Sequence, residues 1–243
     1  MTTLLKTCSV GTFSTLFAVF SETAHAAQLV SPAIGGSDDI VRIAITLTLL
    51  ALIPALFISM TCFIRIIVVL AMVRHAFGMP ETPPNQVLIS LALFLTIFAM
   101  SPTFEALNKD ALQPYIAGEV QLEQAMEQGS EPLREFMLRQ VRDEDLETIY
   151  AIAGEDLPGS PEEVSLPKLV PAFILNELRV SFMIGFVILL PFLLIDLIVS
   201  SVLLSLGMMM VPPATISLPI KVLMFVLIDG WALVLEGVLG SFR

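Results

Sequence analysis

Between Val180 and Ile220 a single ionisable side chain, Asp196, interrupts an otherwise uncharged and strongly apolar stretch. Ala44 to Ile64 and Thr82 to Phe104 carry no charge at all, and Val222 to Phe242 carries only Asp229 and Glu236. At ~1.5 Å of rise per residue, a helix of about 20 residues crosses the roughly 30 Å of hydrocarbon in a bilayer. Only a structure that satisfies its own backbone hydrogen bonds can sit there, and no strand-length alternation argues for a barrel. The composition agrees: 56% of the 243 residues are hydrophobic and 14% charged, where soluble domains average about a quarter charged. The expected fold class is all-α, with membrane-associated helical hairpins built from about four apolar helical segments.

One apolar run exceeds a single pass. Val180 to Val211 as one helix would reach about 48 Å, so it must tilt, break or fold back. Pro191 and the stretch from Gly207 to Pro213 are the natural bend points, because proline removes a backbone donor and clashes with the preceding turn. A helical hairpin with a bend is expected.

Charge divides the rest of the chain. Glu105 to Lys168 holds 15 acidic and 5 basic residues, and so carries −10 of the formal net charge of −11. Val120, Leu122, Ala125 and Met126, then Leu133, Phe136, Met137 and Gln140, recur at helical spacing. Leu157 to Pro161 and Leu166 to Pro171, with their prolines and Gly159, suit a linker back toward the membrane. No basic surface advertises nucleic-acid binding. At the N-terminus, Lys6, the apolar run Val10 to Phe20 and the small-x-small pattern Ala24-His25-Ala26 read as a secretory signal peptide, expected to be cleaved after Ala26, the alternative being an uncleaved first span. The expected organisation is therefore 1–26 signal peptide, 27–104 first apolar hairpin, 105–168 acidic periplasmic helical subdomain, and 169–243 second apolar hairpin with a methionine-rich loop and a C-terminal helix. Basic residues orient membrane proteins; Arg65, Arg74 and His75 place the connection between the first two apolar runs in the cytoplasm, and the acidic segment in the periplasm.

No catalytic constellation or cofactor site emerges. Once the leader is removed, His75 is the sole histidine and Cys62 the sole cysteine, a core thiol. No Cys-x-x-Cys or His-Glu-x-x-His metal pattern occurs, and Gly35-Gly36 opens no βαβ unit. Ser200 and Ser201 have no base in evident reach. Asp196 is costly in an apolar run unless paired or wet. It either binds a cation or marks a proton path, or it is a buried carboxylate held by a helix N-terminus or by an arginine such as Arg179 or Arg65; the structural role is the expected one. Asp229 before Gly230-Trp231 reads as a polar residue in helix packing or a subunit seam, and Glu177 and Arg179 as structural polar residues or partners for neighbouring chains. Met208-Met209-Met210 cannot all share one helix face, since successive residues turn ~100°. They either fill a core or touch lipid, or they form a deformable constriction that excludes ions and water. Gly207 before them and Pro212-Pro213 after them favour a projecting loop.

These residues resemble the FliP family, the export-gate proteins of flagellar type III secretion and their injectisome relatives. The resemblance runs through Phe63-Ile64-Arg65-Ile66-Ile67-Val68-Val69-Leu70, Pro83-Pro84-Asn85-Gln86-Val87-Leu88, and Phe136-Met137 with Gln140 and Arg142. It continues through Pro171-Ala172-Phe173 to Glu177-Leu178, Phe192 to Leu197, Gly207 to Met210, Ile216-Ser217-Leu218-Pro219 and Asp229-Gly230-Trp231. Asn176, where the family commonly has Ser or Thr, and Cys62, where it often has Ser, depart from it modestly. The resemblance implies a non-enzymatic channel subunit of the bacterial inner membrane, in the flagellar basal body. It implies five copies assembled with FliQ-like and FliR-like membrane subunits, unfolded flagellar subunits as cargo, and Met208, Met209 and Met210 as a gasket. It also implies helices that rise largely above the bilayer plane. Rival readings are an ion-coupled small-molecule transporter built around Asp196 and a membrane anchor for the acidic segment.

Overall fold

A computed structural model of the chain describes residues 37–79 and 81–242. The signal peptide, with its expected cleavage site at Ala24 and Ala26, lies outside the described residues, as does Gly35-Gly36. The described residues form helices joined by short connections, with no strand: α1 (Ser37–Met60), α2 (Phe63–Ala76), α3 (Asn85–Ala99), α4 (Ser101–Leu107), a π-turn (Asn108–Leu112) and α5 (Gln113–Ile116) come first. There follow α6 (Leu122–Gln140), α7 (Asp143–Ala153), a short 3-10 turn (Pro161–Glu163), α8 (Leu166–Ser205), α9 (Pro213–Leu227) and α10 (Gly230–Gly240). The all-α expectation holds.

The chain divides into two compact units, Met1–Pro54 and Ala55–Arg243. In the first, the described part of α1 presents Val41, Ile45, Leu47 and Leu50 as exposed apolar side chains. Such a face belongs to lipid or to another protein. Two helices, Val41–Met60 and Leu166–Ser205, are long and apolar enough to cross a membrane; the count rises to four if two bent pairs are each taken as one span. Those pairs are Asn85–Ala99 with Ser101–Ile116, bent by 65°, and Pro213–Leu227 with Gly230–Gly240, bent by 67°.

Within the second unit the core is laid between α2 and α8. Ile66, Val69, Leu70 and Val73 from α2 and Leu169, Ala172 and Phe173 from α8 are all buried. The two helices approach so closely at Gly185 that a Cβ there would lie 2.2 Å from the sulfur of Met72. A cluster of rings closes the far end: Phe77 meets Phe192 at 5.3 Å and Phe225 at 4.8 Å, and Phe225 meets Trp231 at 5.4 Å, all edge-to-face. Pairs in this geometry add about 0.5–1.5 kcal/mol beyond their buried area.

Local chemistry sets the boundaries. α2 ends with Arg74 in its last turn, where a cation suits the negative end of the helix dipole. α7 starts with Asp143, Glu144 and Asp145, the complementary arrangement. It stops at Gly154, whose φ of 70° lets the amide of Glu155 reach back to the carbonyl of Tyr150 at 3.1 Å.

Four details differ from the sequence reading. The apolar run Ala44 to Ile64 is not one helix: it breaks at Thr61-Cys62, and its last residues open α2. Arg65 consequently sits in a buried helical turn rather than in a connection, so it gives no orientation signal. Leu166 to Pro171 is the first stretch of α8 and not a linker: Pro167 stands in the first turn, where amides lack partners anyway, and the helix runs on through Pro171 in its interior. α8 runs unbroken through Pro191 for 40 residues, so of the two expected bend points only the one at Gly207 interrupts the helix.

The acidic segment is folded against this core. Phe136 of α6 meets Phe173 of α8 at 5.8 Å, and Met137, Leu146 and Tyr150 are buried with it. At the start of α6 only Ala125 is buried, whereas Leu122 and Met126 stay exposed.

Candidate functional site

The methionine loop is built by a helix stop. At the end of α8 the backbone turns left-handed at Gly207, with φ of 73°. The amide of Gly207 donates to the carbonyl of Leu204 at 3.1 Å and that of Met208 to Leu203 at 3.0 Å, which satisfies two of the orphan carbonyls of the helix end. Pro212 and Pro213 restart the chain as α9. Three thioethers are stranded between these signals, and their exposure rises outward: 43% at Met208, 80% at Met209 and 96% at Met210. They therefore fill no core within the chain. A shallow cavity of about 190 Å³, lined by Ser200, Leu203, Leu204, Met208, Met209 and Val211 with Pro213, lies at the root of the loop.

Below the loop the α8–α9 hairpin is pinned by charge. Lys221 of α9 is buried, and its ammonium donates to Oδ2 of Asp196 on α8 at 2.6 Å and to the carbonyl of Ala76 at the end of α2 at 3.1 Å. Asp196 is thus held by neither Arg65 nor Arg179. Lys221 is the single basic residue between Val180 and Phe242, a signal the sequence offered and charge counting by runs overlooked.

A second polar cluster lies deeper. Arg65 of α2 and Glu177 of α8 are both fully buried, with Nε of the arginine donating to Oε2 of the carboxylate at 2.9 Å and Nη2 to Oε1. The remaining donors of the guanidinium are used as well. Nη2 reaches Oε1 of Gln140 at 3.1 Å, and Nη1 reaches both the carbonyl and the hydroxyl of Ser241 at 2.9 Å. The cation also lies 4.0 Å from the ring centre of Phe242. One buried cation thereby ties α2, α8, the end of α6 and the C-terminal residues together. Asn176 adds a bond from its amide to the carbonyl of Gln140 at 2.7 Å.

Arg179 grips Asp145 of α7 with a two-pronged contact of 2.8 and 2.7 Å. Glu177 and Arg179 thus find partners inside the chain rather than requiring a neighbouring one. Asp229 adopts a left-handed φ of 51° at the bend between α9 and α10, a conformation that aspartate visits more readily than most residues. The next residue, Gly230, is obligatory on steric grounds: a Cβ there would meet the ring of Phe225 at 2.1 Å.

Cys62 is wholly buried, its thiol near the carbonyl of Thr96. Burial, joined by the nearby negative charge of Glu177, pushes that thiol up to about 12. Among the described residues no group of three or more His, Cys, Asp or Glu is placed to hold a metal ion.

Against known proteins, the family model described as "FliP family" matches residues 46–238. That span takes in the methionine loop, both polar clusters except Ser241 and Phe242, and the acidic segment. The chain belongs to the FliP family. Proteins named "Flagellar biosynthetic protein FliP" are its relatives. The one from Bacillus subtilis (strain 168) is 48% identical over 83% of this chain and 91% of its own length. The one from Pectobacterium carotovorum subsp. carotovorum is 50% identical over 83% and 78%. The one from Aquifex aeolicus (strain VF5) is 43% identical over 86% and 88%. Family membership makes this a flagellar biosynthesis protein of the export apparatus, a structural component and not an enzyme.

Proposed function

We propose that the chain is a channel subunit of the flagellar export gate, and that Met208, Met209 and Met210 are the gasket of its closed state. The observation that carries this reading is the exposure of three consecutive thioethers on a loop whose root is fixed by a glycine stop and by the Asp196–Lys221 pair. A monomer gains nothing by leaving large flexible apolar groups in water. Several copies that converge on an axis gain a plug, because methionine side chains deform around varied chain segments and still exclude ions.

The exposed apolar side chains of α8, such as Phe182, Phe186 and Val187, are the surfaces against which further copies and FliQ-like and FliR-like subunits would pack. Five copies around one channel, with unfolded flagellar subunits passing through, is the assembly that family membership suggests. The inner membrane of the basal body is its place, with several spans, a cleaved leader and the acidic segment in the periplasm. An ion-coupled transporter is disfavoured, since the carboxylate it would rely on is already matched by Lys221.

The test is electrical. Replacing Met208, Met209 and Met210 with glycine in the reconstituted assembly is expected to raise the ion conductance of the closed state. Unchanged conductance would remove the gasket role.

A further inference from the structure

The loop carries a second chemistry. Thioethers are oxidised to sulfoxides wherever oxidants reach them, and the modification turns a flexible apolar group into a polar one. Met209 and Met210 are the most exposed methionines among the described residues, ahead of Met126 at 67% and Met183 at 61%, whereas Met100 and Met137 are sealed at 0%. The cavity beneath Met208 and Met209 opens a second side of the loop to small molecules. Neither Met126 nor Met183 has an adjacent methionine, so this loop alone can concentrate three oxidations at one point.

We propose that Met208, Met209 and Met210 are a reversible oxidation site, and that their oxidation by a peroxide or a hypohalous acid loosens the seal. The proposal rests on the gasket reading. In the forward step the sulfur lone pair attacks the terminal oxygen of hydrogen peroxide. An S–O bond forms, the O–O bond breaks, the sulfur loses two electrons, and water leaves. In the reverse step two thiols of a sulfoxide reductase supply two electrons and two protons, giving thioether, disulfide and water. Each S–O group is a strong acceptor. In a constriction lined by carbon and sulfur it has no donor to meet, so it draws water into the seal.

The experiment uses the reconstituted gate assembly in a planar bilayer, exposed to dilute hydrogen peroxide, with peptide mass mapping and conductance read on the same preparation. Oxygen is expected to accumulate several-fold faster on Met209 and Met210, which face the conduit, than on Met100 and Met137, which are sealed inside the chain. Conductance should rise several-fold and fall again after treatment with the two epimer-specific sulfoxide reductases. A triple leucine variant (Met208→Leu, Met209→Leu, Met210→Leu) conserves volume and has no sulfur to oxidise, so its conductance should stay flat. Oxygen loading at the same pace on the loop and on the sealed methionines overturns the site, on wild-type protein alone. Equal rises in wild type and the leucine variant overturn the link to the seal. If the glycine variant leaks and the oxidised wild type does not, only this proposal fails; if neither leaks, the gasket reading fails with it.

Discussion

Lys221 places its ammonium 2.6 Å from Asp196 across the α8–α9 hairpin, yet the two partners live in different surroundings: the lysine is buried and the aspartate side chain is 41% exposed. Losing the aspartate strands a cation in the core, whereas losing the lysine leaves a carboxylate that water can reach. Asp196→Ala is therefore expected to cost about 3–5 kcal/mol and Lys221→Ala about 1–2 kcal/mol. The double variant should cost less than the sum, because it leaves no uncompensated charge. Denaturation of the detergent-solubilised protein, followed by circular dichroism, measures all three; equal single costs would contradict the asymmetry.

Arg65 makes a stronger demand, since both it and Glu177 are sealed from water. Glu177→Gln keeps the shape and removes the charge, leaving the guanidinium without a counter-ion, and should destabilise the chain by about 3–5 kcal/mol. Arg65→Met together with Glu177→Met is expected to recover much of that loss, because a packed apolar pair needs no desolvated charge. The same melting measurement decides, with protease sensitivity of the C-terminal residues as a local readout: they should be cut faster in Arg65→Met, which no longer holds Ser241.

Gly185 lets α2 and α8 touch. Gly185→Leu should cost about 1–3 kcal/mol through overpacking against Met72. Met72→Ala in the same chain should return part of it, and this rescue separates a local clash from a general intolerance of substitution in α8.

Cys62 is protonated in the folded chain well past its ordinary value of 9.0. The sign follows from linkage. Below pH 9 the thiol is neutral in both folded and unfolded chains and adds no pH dependence. Between pH 9 and about 12 the unfolded chain releases its proton first, and stability falls as pH rises. Because the thiolate is the nucleophile, maleimide labelling at pH 8 should be very slow in the folded protein and rapid in denaturant. Comparable labelling in both states would contradict the burial.

The all-helical class, most of the apolar helical segments and the stop at Gly207 were legible in the residues. Each of these depends on periodicity or on a charge count along the chain. Two helix boundaries misread from the same signals have the same cause. Hydropathy cannot see the break at Thr61-Cys62, because both sides of it are equally apolar, and the prolines of Leu166–Pro171 read as a linker although the first helical turn accepts Pro167 and the helix continues through Pro171.

The partners of the charges were decided by the tertiary structure alone. Arg65 lies 112 residues from Glu177 and 176 from Ser241, and no local pattern links them. Asp196 was read with Arg179 or Arg65 as its arginine partner, and only folding α9 back along α8 brought Lys221 to it. Sequence periodicity states which face of a helix avoids water; it does not state which other face it meets. The pairing of buried charges depends on that meeting, because their energy falls off within a few ångströms while their separation along the chain is unconstrained.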